Sequence, residues 1–90
     1  MKIHELKTDP DMFSMTISGV KNFEIRKDDR GFELGDLLIL KETKFSGAAM
    51  GAGAPLVYTG RQVSRFVNYI LPAGSYGLSP GWVVMRVDKI

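Results

Sequence analysis

There is no cysteine among these 90 residues, and only one histidine, His4. The first absence excludes a disulfide framework, a thiolate zinc site and a cysteine nucleophile. The second means that a metal site would have to lean on carboxylates. A P-loop, a dinucleotide fingerprint, a nucleophile triad and a His-carboxylate metal pattern are also missing. The expectation is therefore no cofactor and no metal. No apolar run is long enough to cross a bilayer, and no basic-then-apolar leader opens the chain, so the expected location is the cytoplasm. Charge of one sign is scarce too. A net +2 is far below the Lys/Arg excess of a dedicated nucleic-acid binder.

What is present fits one small globule. With 44% hydrophobic and 24% charged residues, the chain reads as a single domain over residues 1–90. A chain of this length hides only roughly 60–65% of the surface that its unfolded form exposes. Up to Phe45 there are eight bases against nine acids; beyond it Arg61, Arg65, Arg86 and Lys89 face Asp88 alone. The positive excess thus lies in the C-terminal half, which permits a basic strip there.

Along the chain, "KIHELK" (residues 2 to 7) reads as an opening strand. "TDPDMF" is a helix start, with Asp9 as N-cap, Pro10 at the first helical position and Asp11 complementing the dipole. Phe13, Thr16, Ile17 and Val20 share one helical face, and Gly19 suits a left-handed stop. "NFEIRK" alternates, sending Phe23 and Ile25 to one side and Glu24 and Arg26 to the other. "RGFELGD" is a turn, and "LLILKET" a strand apolar on both faces at its start, as in a small closed sheet. Residues 44–55, "KFSGAAMGAGAP", have neither period and are expected to form a flexible loop. "YTGRQVSRFVNYI" is a strand whose alternation slips at Arg65 and Phe66, which predicts a bulge or bend. After a second loop, "WVVMRVDKI" closes the chain with Val83, Met85 and Val87 on one face. The tally is α+β: one helix and about five strands in a small, barrel-like sheet.

The chemistry-bearing residues each admit two readings. Lys21, Glu24 and Arg26 could converge at one mouth of the barrel and hold a polar heterocycle, the carboxylate accepting and the bases donating. Equally, they describe a solvated strand face with one ion pair, contributing about 0–1 kcal/mol. Asp28 and Asp29 in "KDDRG" suit bonds to nearby amides better than a divalent ion. Gly35-Asp36 reads as a tight turn into a strand. His4 is either a general base or a hydrogen-bonded strand residue. In "YTGR", Tyr58 could stack on a base and Arg61 meet a phosphate, or Tyr58 is an ordinary strand residue. Trp82 reads as a core or rim anchor.

The order "HELK", "GVKNFEIRKDDRGFELGDLLILKE", "YTGR", "VNYI", "YGL" and "GWVVM" resembles small bacterial and bacteriophage proteins of the ASCH group of PUA-like domains, over nearly the whole chain. Its most specific part is G-x-K-x-x-E-x-R followed by G-D, at Gly19, Lys21, Glu24, Arg26, Gly35 and Asp36. The resemblance implies a PUA-like small mixed β-barrel of five to six strands, a short N-terminal helix over one end, and a cleft where these residues meet. It also implies RNA or modified bases as ligands. One ASCH branch deacetylates acetylated cytidine with a threonine nucleophile three residues after the lysine; here that position is Glu24.

The expected function is accordingly binding of RNA, of another single-stranded nucleic acid or of a modified nucleoside. Lys21, Glu24 and Arg26 would form the site, extended by Arg30, Tyr58 and Arg61. The enzymatic alternative is a metal-independent amidohydrolase on an acylated nucleoside, with Glu24 as general base and Lys21 as its partner. A third reading is an accessory protein whose Gly/Ala segment, residues 46–54, orders on a partner.

Overall fold

The computed structural model describes all 90 residues, Met1–Ile90. Five strands form one mixed sheet: β1 (Ile3–Thr8), β2 (Phe23–Lys27), β3 (Leu37–Thr43), β4 (Tyr58–Leu71) and β5 (Trp82–Asp88). Helix α1 (Pro10–Ser18) follows β1, and a short helix α2 (Gly47–Gly51) precedes β4. Spatial order is β1-β3-β4-β5-β2, with β1 parallel to β3 and every other pairing antiparallel. The sheet curls into a half-barrel. β1 and β2 are its two edges.

The 14-residue β4 makes the curl. Its first part pairs with β3 and its last part with β5, and the register shifts between Val67 and Tyr69. Two residues on β4 advance there against one on β5, which is a bulge, and bulges bend and twist a strand. The slip in alternation at Arg65 and Phe66 marks the correct strand, two to three residues early. Asn68, the extra residue, ties the bend down by donating to Asp88 at 2.7 Å.

Inside the curl lies a core of Leu6, Phe32, Leu38, Leu40, Val67, Val83, Met85 and Val87. Val83, Met85 and Val87 bury on the face that period two assigns them. Helix α1 starts at Pro10 after Asp9 and stops at Gly19, whose φ of 83° is left-handed as a C-cap requires. Asp9 does not cap α1 with its side chain; its Oδ1 instead accepts from Gly47 N–H at the start of α2.

Two expectations are corrected. On α1 only Phe13 and Thr16 bury; Ile17 is half-exposed and Val20, beyond the C-cap, is exposed. The Gly/Ala segment is not an irregular flexible loop. Ser46 Oγ accepts from Ala49 N–H and starts the α2 turn, so this stretch has local structure without a partner. On β2 the structure decides what alternation left open. Phe23 and Ile25 stay 42% and 51% exposed while Glu24 falls to 2%: the charged face of the strand points inward.

Core truncation should therefore be costly and truncation on β2 should not. Leu40→Ala is expected to lower stability by about 2–5 kcal/mol, whereas Ile25→Ala should stay within about 1 kcal/mol. Urea unfolding at neutral pH checks both values, and similar losses for the two would contradict the assigned faces.

Candidate functional site

Gly19 turns the chain out of α1, and Lys21 N–H then bonds back to Met15 O at 3.0 Å, which delivers Lys21 to the start of β2. Three residues on, Glu24 accepts from Lys21 Nζ at Oε2. Its Oε1 accepts from Arg26 Nε at 3.0 Å and lies 2.9 Å from Arg26 Nη2. Lys21 Nζ also donates to Phe23 O at 2.6 Å. The side chains are 3% (Glu24), 10% (Lys21) and 25% (Arg26) exposed. A carboxylate sealed this well would be costly without compensation, and two cations provide it.

Arg26 also reaches across the open side of the sheet. Lys2 O bonds to Leu37 of β3. In a parallel pair alternate residues turn to the neighbour, so the carbonyls of Glu5 and Lys7 face away from β3. Arg26 Nη1 donates to Lys7 O at 2.9 Å, and Arg30 Nη1 to Glu5 O at 2.7 Å. Guanidinium groups thus satisfy acceptors that another strand would take in a closed barrel.

Beside this cluster lies a cleft of about 250 Å³. Thr8, Lys7 and Asp9 form one side, Met12 of α1 overhangs it, and Phe23 and Ile25 complete it with the three charged residues. Arg30 lines a neighbouring cavity of about 260 Å³, with Arg26 as a wall common to both. Tyr58 and Arg61 line neither cavity. Tyr58 pairs with Thr43 and lies under Lys41 Nζ, 4.6 Å from its ring centroid. Arg61 stacks over Phe13 at 5.0 Å and faces Glu42 at 3.7 Å. The expected extension of the site thus reaches Arg30 only. The C-terminal bases do not form one strip either: Arg61 faces Glu42, Arg86 pairs with Asp88, and Arg65 and Lys89 lie at a third hollow. No three or more His, Asp or Glu side chains gather as metal ligands, and no helix is long and apolar enough to cross a membrane.

Sequence reasoning missed a second buried pair. Asp36, fully buried, accepts from His4 Nε2 at 2.8 Å, from Lys2 N–H at 3.0 Å and from Glu33 N–H at 2.9 Å. His4 packs against Phe32, with centroids 4.7 Å apart. Burial is the largest influence on Asp36 and pushes its carboxyl up. The two amides and the His4 ring outweigh it and hold the group below its ordinary 3.8. The pair pins the start of β1 to the turn before β3 and lies outside the cleft lining. Asp28 behaves as its turn position predicts, accepting from Gly31 and Phe32 N–H.

A protein-family model described as "Domain of unknown function (DUF3850)" matches residues 3–87. The chain belongs to that family. It is also similar to a phage protein, the "Uncharacterized 12.9 kDa protein in GpA 3'region" of Escherichia phage P2, with 49% identity over 41 residues. That stretch is 46% of this chain and spans 38% of the phage protein's length.

Because the folded pKa of Asp36 lies below its unfolded value, its contribution is present above about pH 4 and fades as pH falls through the folded value. Asp36→Asn should cost about 2–3 kcal/mol at pH 7, since hydrogen bonds to a charged group are lost. The deficit should shrink as both proteins are acidified toward about pH 3. Denaturant unfolding across that range checks it, and a constant deficit would contradict it.

Proposed function

We propose that this is a PUA-like domain of the ASCH type that binds single-stranded nucleic acid, RNA in the first place, in the Lys21/Glu24/Arg26 cleft. One observation carries the reading: two cations held on a buried carboxylate at the edge of a cleft that also offers apolar and hydroxyl walls. A surface ion pair needs no such enclosure. Donors fixed in advance on a concave site suit an anionic or carbonyl-bearing ligand. The curled five-strand mixed sheet and the convergence of the G-x-K-x-x-E-x-R residues support the family-level part.

The division of labour follows from which hydrogen bonds are already taken. Each Glu24 oxygen already accepts a hydrogen bond, Oε2 from Lys21 and Oε1 from Arg26, and the side chain has almost no exposed surface. Its role is to position the two cations, rather than to read a base edge as the residue types alone suggest. Lys21 and Arg26 present their remaining N–H groups to phosphate or carbonyl oxygens, and Lys7 adds charge at the rim. The hydrolytic alternative gains no support from this geometry, because a general base needs an accessible lone pair facing substrate or water.

Labelled single-stranded RNA and matched DNA, titrated at two salt concentrations, test the reading. Wild type is expected to bind, with affinity falling by about 0.7 log units per log unit of salt for each phosphate contacted. Lys21→Ala/Arg26→Ala combined with Glu24→Gln, which leaves no buried charge unpaired, should bind about a hundredfold more weakly, as two charge-assisted contacts are removed. Lys7→Ala, at an exposed position, should flatten the salt dependence without disturbing the fold. Wild type that binds neither polymer at low salt would overturn the proposal.

A further inference from the structure

The second cavity, with Arg30 in its wall, adjoins the first. Its floor is apolar, from Leu6 and Phe32; Trp82 and Ile25 form partly exposed walls; and Lys27 and Arg30 bring positive charge. Lys27 and Trp82 are cross-strand partners on β2 and β5, so their side chains leave the sheet on the same face. Asp29 is the one carboxylate there, 3.7 Å from Arg30.

Alone, each cavity falls short of the roughly 300–1,000 Å³ usual for small-molecule sites; together they enter that range. Arg26 and Ile25 belong to both linings. Arg26, already fixed by Glu24 and Lys7 O, is therefore the boundary over which any ligand filling both must lie. Around the two cavities stand five cations (Lys7, Lys21, Arg26, Lys27, Arg30) and three carboxylates (Asp9, Glu24, Asp29). That surplus of two positive charges equals the net charge of the whole chain. An aromatic beside cations, repeated at a charged boundary, is the surface that successive stacked bases and their phosphates require.

We infer that the seam between β1 and β2 takes two consecutive nucleotides of a single strand. One base occupies the Lys21 cavity, the next stacks on Trp82, the linking phosphate lies over Arg26, and the flanking phosphate meets Lys27 and Arg30. This rests on the nucleic-acid reading above and adds to it a second subsite and a ligand length.

Trp82 is the only tryptophan, so its fluorescence reports the second subsite directly. The test titrates the full chain with mono-, di- and trinucleotides, RNA and DNA in parallel, following Trp82 fluorescence, and follows a labelled decamer by anisotropy. The expected result is that dinucleotides change the fluorescence and bind at least tenfold more tightly than mononucleotides, while trinucleotides gain little more. Trp82→Ala should weaken decamer binding roughly 5- to 150-fold, the span carried by stacking one base, and Trp82→Phe should restore most of it. Lys27→Ala, a fold-neutral change at an exposed residue, should weaken dinucleotides more than mononucleotides. If the decamer binds and Lys7→Ala weakens it, yet Trp82 fluorescence is flat and Trp82→Ala binds like wild type, the second subsite is overturned while the first stands. Equal affinity for mono- and dinucleotides would also overturn it. No binding of any oligonucleotide to wild type would overturn both readings.

Discussion

A carboxylate removed from water between two cations organises this molecule. Glu24 has almost no exposed surface, and its two oxygens are taken by Lys21 and Arg26. Such a group is tolerable in a small domain only while both partners stay in place, because an isolated buried charge is far costlier than an exposed one. Its first consequence is directional: it turns the charged face of β2 inward and leaves Phe23 and Ile25 half-exposed outside. Its second is that Arg26, once fixed, spans the seam to Lys7 O. A sheet whose edge strands do not pair with each other is thereby held nearly shut by side chains.

The cleft follows from that closure. Where a backbone ladder would fill the gap between edge strands, guanidinium groups leave hollows on either side of themselves, lined by the ends of β1, α1 and β2. The donors that hold the seam are those a ligand would meet. On the proposed reading stability and binding draw on the same few residues, and a fold-preserving substitution is more informative at Lys7, Lys27 or Trp82 than at Glu24.

Much of the frame was legible in the sequence, because it rests on local rules. Asp9-Pro10 and Gly19 bracket α1, Gly19 for the left-handed backbone it adopts; the alternation of Val83, Met85 and Val87 assigns the core face of β5; and the broken alternation in β4 marks the bend. What was not legible depends on distance. His4 and Asp36 are 32 residues apart and meet only because β1 runs parallel to β3. Alternation divided β2 correctly into two faces but could not say which faces in, since that depends on the lone pairs of an edge strand 19 residues earlier. Tyr58 and Arg61 look like site residues by type, yet β4 carries them to Phe13, Lys41 and Glu42. Ser46 and Asp9 each hold one amide of a Gly/Ala stretch whose composition alone suggests no order.

The most direct measurement of this account is a double-mutant cycle on stability between Glu24→Gln and Arg26→Met, read by urea unfolding at neutral pH. A buried clamp predicts that the two losses are far from additive, with a coupling of about 2 kcal/mol or more and the cost of either single change falling sharply when the partner is absent. Additive losses, or a coupling within the roughly 0–1 kcal/mol of exposed pairs, would mean that the charged stretch is a solvated face after all and would contradict the account.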